Sequence, residues 1–154
     1  MDTDIARNLH AVQSTLPEGV ALVAVSKFHP ADSLRAAYEA GQRIFGESRV
    51  QELVAKQAAL PADIEWHFIG HLQTNKVKQI VPFISLIHSI DSPHLLDEVE
   101  RCAARCGRTV DCLLQLHIAE EETKFGFSPD ECRDYLASGA WRALSHVRLR
   151  GVMG

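Results

Sequence analysis

Leu22-Val23-Ala24-Val25-Ser26-Lys27 is an apolar run that ends in one small polar residue and then a single amine. A run this uniformly apolar predicts a strand buried on both faces, as in a parallel sheet. Its terminal lysine would project from the edge where open α/β sheets and α/β barrels hold their ligands. An amine desolvated there has a lowered pKa and can act as a Schiff-base nucleophile toward an aldehyde. The competing reading is a lysine that ends a strand and reaches for water.

Outward from this run, strands and helices alternate. Ile5, Leu9, Val12 and Leu16 follow helical spacing behind Asp4, which reads as an N-cap. After Lys27, Pro30 opens a helix carrying Leu34, Ala37 and Tyr38, and Gly41 closes it. Ile44-Phe45-Gly46 is a second strand; Val50, Leu53, Val54 and Ala58 mark a helix stopped by Pro61. Ile64 to Gly70 reads as a third strand, Asn75 to Val81 as a short helix, and Ile84 to Ile90 as a fourth strand. Ser92-Pro93 begins a helix with Leu95, Leu96 and Val99 facing the core until Gly107. Val110 to Ile118 is a fifth strand, and Ser128-Pro129-Asp130-Glu131 is a capping box for a helix with Cys132, Tyr135 and Leu136 inside. Val147 to Met153 begins a sixth strand.

This order specifies a parallel sheet with right-handed crossovers. An open doubly wound sheet and a (β/α)8 barrel compete, and no G-x-G-x-x-G follows any strand to support the nucleotide-binding open sheet. A TIM barrel takes about 250 residues and eight units. The 154 residues here supply its first five to six β/α units. The expectation is therefore a single partial TIM-barrel domain over residues 1–154, with strands seven and eight missing and an unpaired edge prone to association.

Composition narrows the function classes. At 46% hydrophobic residues the chain can bury one core, and a net charge of −4 with interspersed signs leaves no basic stripe for nucleic acid. No apolar stretch is long enough for a membrane span, and the acidic Met1-Asp2-Thr3-Asp4 is unlike a signal peptide, which favours the cytoplasm. Cys102, Cys106, Cys112 and Cys132 read as buried reduced thiols rather than a disulfide framework.

Polar residues cluster where the strands end. They are Lys27; Glu47-Ser48-Arg49; Gly70-His71 with Gln73 to Lys76; Ser89-Ile90-Asp91; and His117 with Glu120 to Lys124. Gathered at one rim, such groups are what a barrel active site needs. Ser48 and Asn75 could instead only cap the helices that follow. Glu120 to Glu122 could be a solvated loop. His67 and His71, four apart on a strand, would stand about 13 Å apart, too far to share a metal ion. No G-x-S-x-G motif is present.

On these residues the chain resembles the pyridoxal phosphate homeostasis proteins, relatives of the alanine racemase N-terminal domain. The matching blocks are Leu22 to Lys27, Phe45 to Glu52, Glu65 to Lys76, His88 to Asp91, Lys124 to Phe127 and Leu149 to Met153. The resemblance implies a barrel that holds pyridoxal 5′-phosphate (PLP) as a Schiff base on Lys27, with Ser48, His71, Asn75 and Met153 as further cofactor contacts. It implies a non-catalytic cytosolic protein that buffers the cofactor or delivers it to PLP-dependent apo-enzymes, as a monomer or weak homodimer without nucleic-acid or membrane partners. Ser48 stands where the family often has Asn, so its contact to the cofactor ring is shorter. The family's phosphate cup lies after strands seven and eight, so this chain is expected to favour PLP only slightly over unphosphorylated pyridoxal.

Three rivals follow from the same residues. A PLP-dependent racemase or decarboxylase needs a second base across the cofactor; Tyr38 and Tyr135 both fall in helices, which argues against it. A cofactor-free aldolase usually carries its lysine late in the barrel. The last rival is a fragment with no function of its own.

Overall fold

The structure, a computed structural model, describes residues 2–118 and 125–154. Six parallel strands lie side by side in chain order: β1 Ala24–Val25, β2 Ile44–Glu47, β3 Glu65–Phe68, β4 Leu86–Ile90, β5 Val110–Gln115 and β6 Val147–Met153. Strictly sequential order contains no reversal of the kind that defines a doubly wound sheet, and it is the strand order of a β/α barrel. The helices are α1 Asp2–Gln13, α2 Ala31–Glu39, α3 Val50–Ala59, α4 Val77–Ile80, α5 Pro93–Cys106 and α6 Pro129–Ser138.

Strand alternation divides the sheet into two faces. Phe45, Trp66, Phe68, Ile87, Cys112 and Leu114 share one buried cluster with Leu34, Leu53, Ile80, Leu95, Leu96 and Val99 from the helices. Each fully buried Leu, Ile or Phe of this layer contributes about 2 kcal/mol. The other face carries Gly46, His67, Leu86, His88 and Asp111. There a methyl group on Gly46 would touch Val23 and Ile69, and Asp111 binds Arg148. Register shifts within the β4–β5 and β5–β6 pairings mark local bulges.

Local chemistry sets the helix ends. Ser92 Oγ accepts from the Leu95 amide at 3.1 Å, Pro93 takes the first turn, and Gly107 ends α5 at φ 66°. The α6 capping box is complete: Ser128 Oγ accepts from the Glu131 amide at 3.1 Å while Glu131 accepts from the Ser128 amide at 2.9 Å.

Several expectations are corrected. The first strand is two residues long, and Val25 is 52% exposed rather than buried on both faces. Among the described residues β1 is an edge strand that pairs only with β2, and at Leu22 the side chain of Gln42 replaces the ladder by donating to the Leu22 carbonyl at 2.8 Å. Asp4 lies inside α1 and pairs with Arg7 one turn on, so it is not the cap. Residues Thr74–Lys76 form a 3₁₀ turn before the four-residue α4, whose C-terminal end is set by Pro82 two residues on. Leu136 is exposed on α6, and Cys106, unlike the three buried thiols, faces solvent. All four cysteines are free, and among the described residues no helix is long and apolar enough to cross a membrane.

Candidate functional site

Parallel strands bring their C-terminal ends to one rim, and Lys27, Ser48, His71, Asp91 and Met153 all stand at or just past those ends. Lys27 is exposed on the turn after β1 rather than desolvated, a consequence of its place on the edge strand. Its two neighbours are held tightly. Ser26 is buried; its amide donates to the Gly46 carbonyl at 2.9 Å and its hydroxyl donates to Glu47. The Phe28 amide donates to Glu52 Oε2 at 2.8 Å, and the Arg49 guanidinium lies 4.8 Å over the Phe28 ring. Phe28 adopts φ 67°, a left-handed conformation that a bulky residue enters only when its surroundings hold it there.

A second lysine lies beneath this turn. Lys56 of α3 is 7% exposed, and its ammonium donates to Ser26 O at 2.8 Å, Glu47 Oε2 at 3.0 Å and Glu52 Oε2 at 2.8 Å. Glu47 is fully buried, with Oε1 lacking a protein partner among the described residues. The Lys56 ammonium beside it holds the Glu52 carboxyl below the ordinary glutamate range, helped by the Phe28 amide. Lys56 falls three residues after Leu53 on the buried stripe of α3, a place the apolar pattern alone does not mark for a charge.

Next to the turn opens a cleft of about 580 Å³ whose walls include Phe28, Ser48, Arg49, Glu52, His71 and Lys76. His71 stacks on Phe125 with ring centroids 3.8 Å apart and planes 10° apart, and its Nδ1 lies 3.3 Å from Asp91 Oδ2. Of the candidate cofactor residues, Ser48 and His71 therefore line the cleft; Lys27 does not, although its neighbour Phe28 does. Asn75 is exposed on the 3₁₀ turn and leaves the wall to Lys76, while Met153 is half-buried at the end of β6. Neither Ser48 nor Asn75 caps a helix: Arg49 precedes α3 and Lys76 precedes α4, both without a side-chain cap bond. The rim residues Glu120 to Lys124 lie outside the described residues.

Two other contacts complete the chemistry. His67 Nδ1 and His88 Nε2 approach to 2.9 Å on the inner face of the sheet. Gly70 permits a close pass at the rim, since a Cβ there would sit 2.3 Å from the Ser48 carbonyl oxygen. Among the described residues, no group of three or more His, Cys, Asp or Glu is arranged to hold a metal ion.

Six sequential parallel strands with polar side chains gathered at their C-terminal rim define a protein of the β/α-barrel class. The family described as "Alanine racemase, N-terminal domain" matches residues 3–154. The pyridoxal phosphate homeostasis protein of Aquifex aeolicus is 41% identical over 133 residues, covering 86% of this chain and 58% of that one. The protein of the same name from Synechocystis sp. is 40% identical over 142 residues, covering 91% of this chain and 64% of that one. The structure of PipY of Synechococcus elongatus PCC7942 with PLP bound superposes with a TM-score of 0.88 at 43% identity, covering 97% of this chain and 69% of PipY. The chain belongs to the alanine racemase N-terminal domain family and, within it, to the pyridoxal phosphate homeostasis proteins. It spans 58% and 64% of the lengths of the two curated relatives compared.

Proposed function

We propose that this chain binds pyridoxal 5′-phosphate covalently through Lys27 and serves the intracellular homeostasis of that cofactor, without catalytic turnover of its own. The observation that carries the reading is the pairing of an exposed primary amine, on a turn held at both flanks, with the adjoining cleft of about 580 Å³. The residues present fit the group. Lys27 offers the amine an aldehyde needs, Arg49 and Lys76 bring positive charge to the cleft wall, and Ser48 and His71 offer polar contacts. The same reading takes Asn75 and Met153, which lie outside the cleft wall, as further contacts from the rim. When bound, the cofactor supplies an electrophilic aldehyde on an electron-withdrawing ring.

Turnover would need a second proton carrier across from Lys27, and the two tyrosines do not supply it. Tyr38 is in α2 with its hydroxyl bonded to Asp63, and Tyr135 is in α6, where it stacks on Phe127. Neither stands at the rim as a second proton carrier across from Lys27. A carrier with one open face exchanges its cargo readily, so PLP-dependent apo-enzymes are the partners that fit. The same reading takes residues 1–154 as one domain acting in the cytoplasm as a monomer or weak homodimer.

Borohydride trapping tests this. After incubation with PLP, peptide mass spectrometry should find the reduced adduct on Lys27, and Lys27→Ala should abolish it along with the yellow absorbance. Arginine at 27 should fail too, because guanidinium stays protonated. An adduct on Lys76 or Lys124 instead would overturn the assignment. Rapid exchange of the α-proton of alanine in deuterated water would move the reading to a racemase.

A further inference from the structure

We propose that Lys56 is a positioning residue for Lys27: its buried ammonium, together with Glu47 and Glu52, fixes the backbone on both sides of Lys27 and so sets where that amine stands. The proposal rests on the reading of Lys27 as the cofactor amine.

Lys56 reaches both flanks. On one side it holds the Ser26 carbonyl at 2.8 Å, and it anchors Glu47, which accepts from the Ser26 hydroxyl. On the other it holds Glu52 at 2.8 Å, and Glu52 accepts the Phe28 amide. The Phe28 side chain is 67% exposed, so packing does not enforce its φ of 67°; the Glu52 tether and the Arg49 contact do. A buried ion pair adds little net stability over an apolar pair of similar size, so the retained charges are better explained by the geometry they impose. The same network separates the two lysines chemically. All three Lys56 donors are engaged and the group is buried, whereas Lys27 is exposed beside the cleft.

Two variants test this in the whole chain. Glu52→Ala cuts the Phe28 tether at the rim. Lys56→Met combined with Glu47→Leu removes both buried charges together and leaves Glu52, which is part-exposed, to water. Three readouts are taken at matched stability: hydrogen exchange of the Phe28 amide, the pH profile of Lys27 reductive methylation by formaldehyde against exposed Lys78, and the borohydride-trapped PLP adduct on Lys27. Both variants should speed Phe28 exchange at least about tenfold, shift the methylation profile, and lower the adduct at fixed PLP at least about threefold. Glu52→Gln keeps an acceptor oxygen and should restore most of the protection and the adduct. Unchanged exchange and methylation would overturn the proposal. So would faster exchange with an unchanged adduct, because Lys56 would then be merely structural. If the unaltered protein forms no adduct on Lys27, the cofactor reading falls, while exchange and methylation still decide whether Lys56 positions Lys27.

Discussion

Acidifying the protein from about pH 7 to about pH 4 should remove up to about 3 kcal/mol of folding stability through one pair of side chains. His67 on β3 and His88 on β4 meet on the inner face with 2.9 Å between Nδ1 and Nε2 and 5.0 Å between ring centroids. At that separation one neutral ring donates to the lone pair of the other, and charging both rings would leave two N–H groups facing each other. Burial first, and repulsion from His88 second, push the His67 pKa down from 6.5 to about 4, and burial lowers His88 as well. His67 is only 9% exposed, so solvent screens little of this. Because the folded value is the lower one, the unfolded chain takes up the proton first. The stability is complete above the unfolded value of 6.5 and is lost as pH falls toward about 4. At about 1.4 kcal/mol per pKa unit, the full drop amounts to about 3 kcal/mol. Urea unfolding across this window should be compared between the unaltered protein and His67→Phe, which removes the titration and keeps a ring in place. Acid effects from carboxylates cancel in the difference, which should change by about 2 kcal/mol or more over the window. A difference that does not vary with pH, or an NMR titration placing His67 at or above 6.5, would refute the reasoning.

Three further outcomes are expected. Gly70→Ala would place a Cβ 2.3 Å from the Ser48 carbonyl oxygen and 2.8 Å from its Cα. Thermal unfolding should therefore register a loss of at least about 2 kcal/mol as the β2 and β3 ends are forced apart. Ser128→Ala removes the acceptor for the Glu131 amide and should cost about 1 kcal/mol, read by denaturant midpoint. A thiol reagent added to the folded protein should modify exposed Cys106 rapidly and leave Cys112 untouched, since burial pushes the Cys112 thiol up to about 12; mass spectrometry of the labelled peptides checks this.

What could be read directly from the chain was whatever a few neighbouring residues decide. Ser92-Pro93 with Gly107, and Ser128 with Glu131, bound α5 and α6 where expected because a cap is a local hydrogen bond. The six strands were legible for a similar reason, as each is a short apolar run between turn residues. Length was not legible at the edge: Leu22 to Lys27 looks like a full strand, but pairing depends on a partner, and among the described residues β1 has one only on the β2 side. Distance in sequence hid the rest. His67 and His88 stand 21 residues apart, and only the β3–β4 register brings their rings together. Asn75 and Lys76 differ by one position, and the 3₁₀ turn chooses which of them faces the cleft. The two lysines show the limit most clearly. Apolar spacing in α3 places Lys56 on the buried stripe, but an apolar stripe does not say that the charge will be met there by Glu47, a residue the strand pattern puts in the rim cluster. Because Glu47 shares strand parity with Phe45, it points toward the helices and away from the inner face, and its carboxylate becomes the counter-charge for a buried amine. The reactive candidate is then the lysine left outside that pair. On the proposed reading, which of the two amines would meet an aldehyde is decided by strand parity and helix phase acting together, a relation that exists only once the sheet has formed.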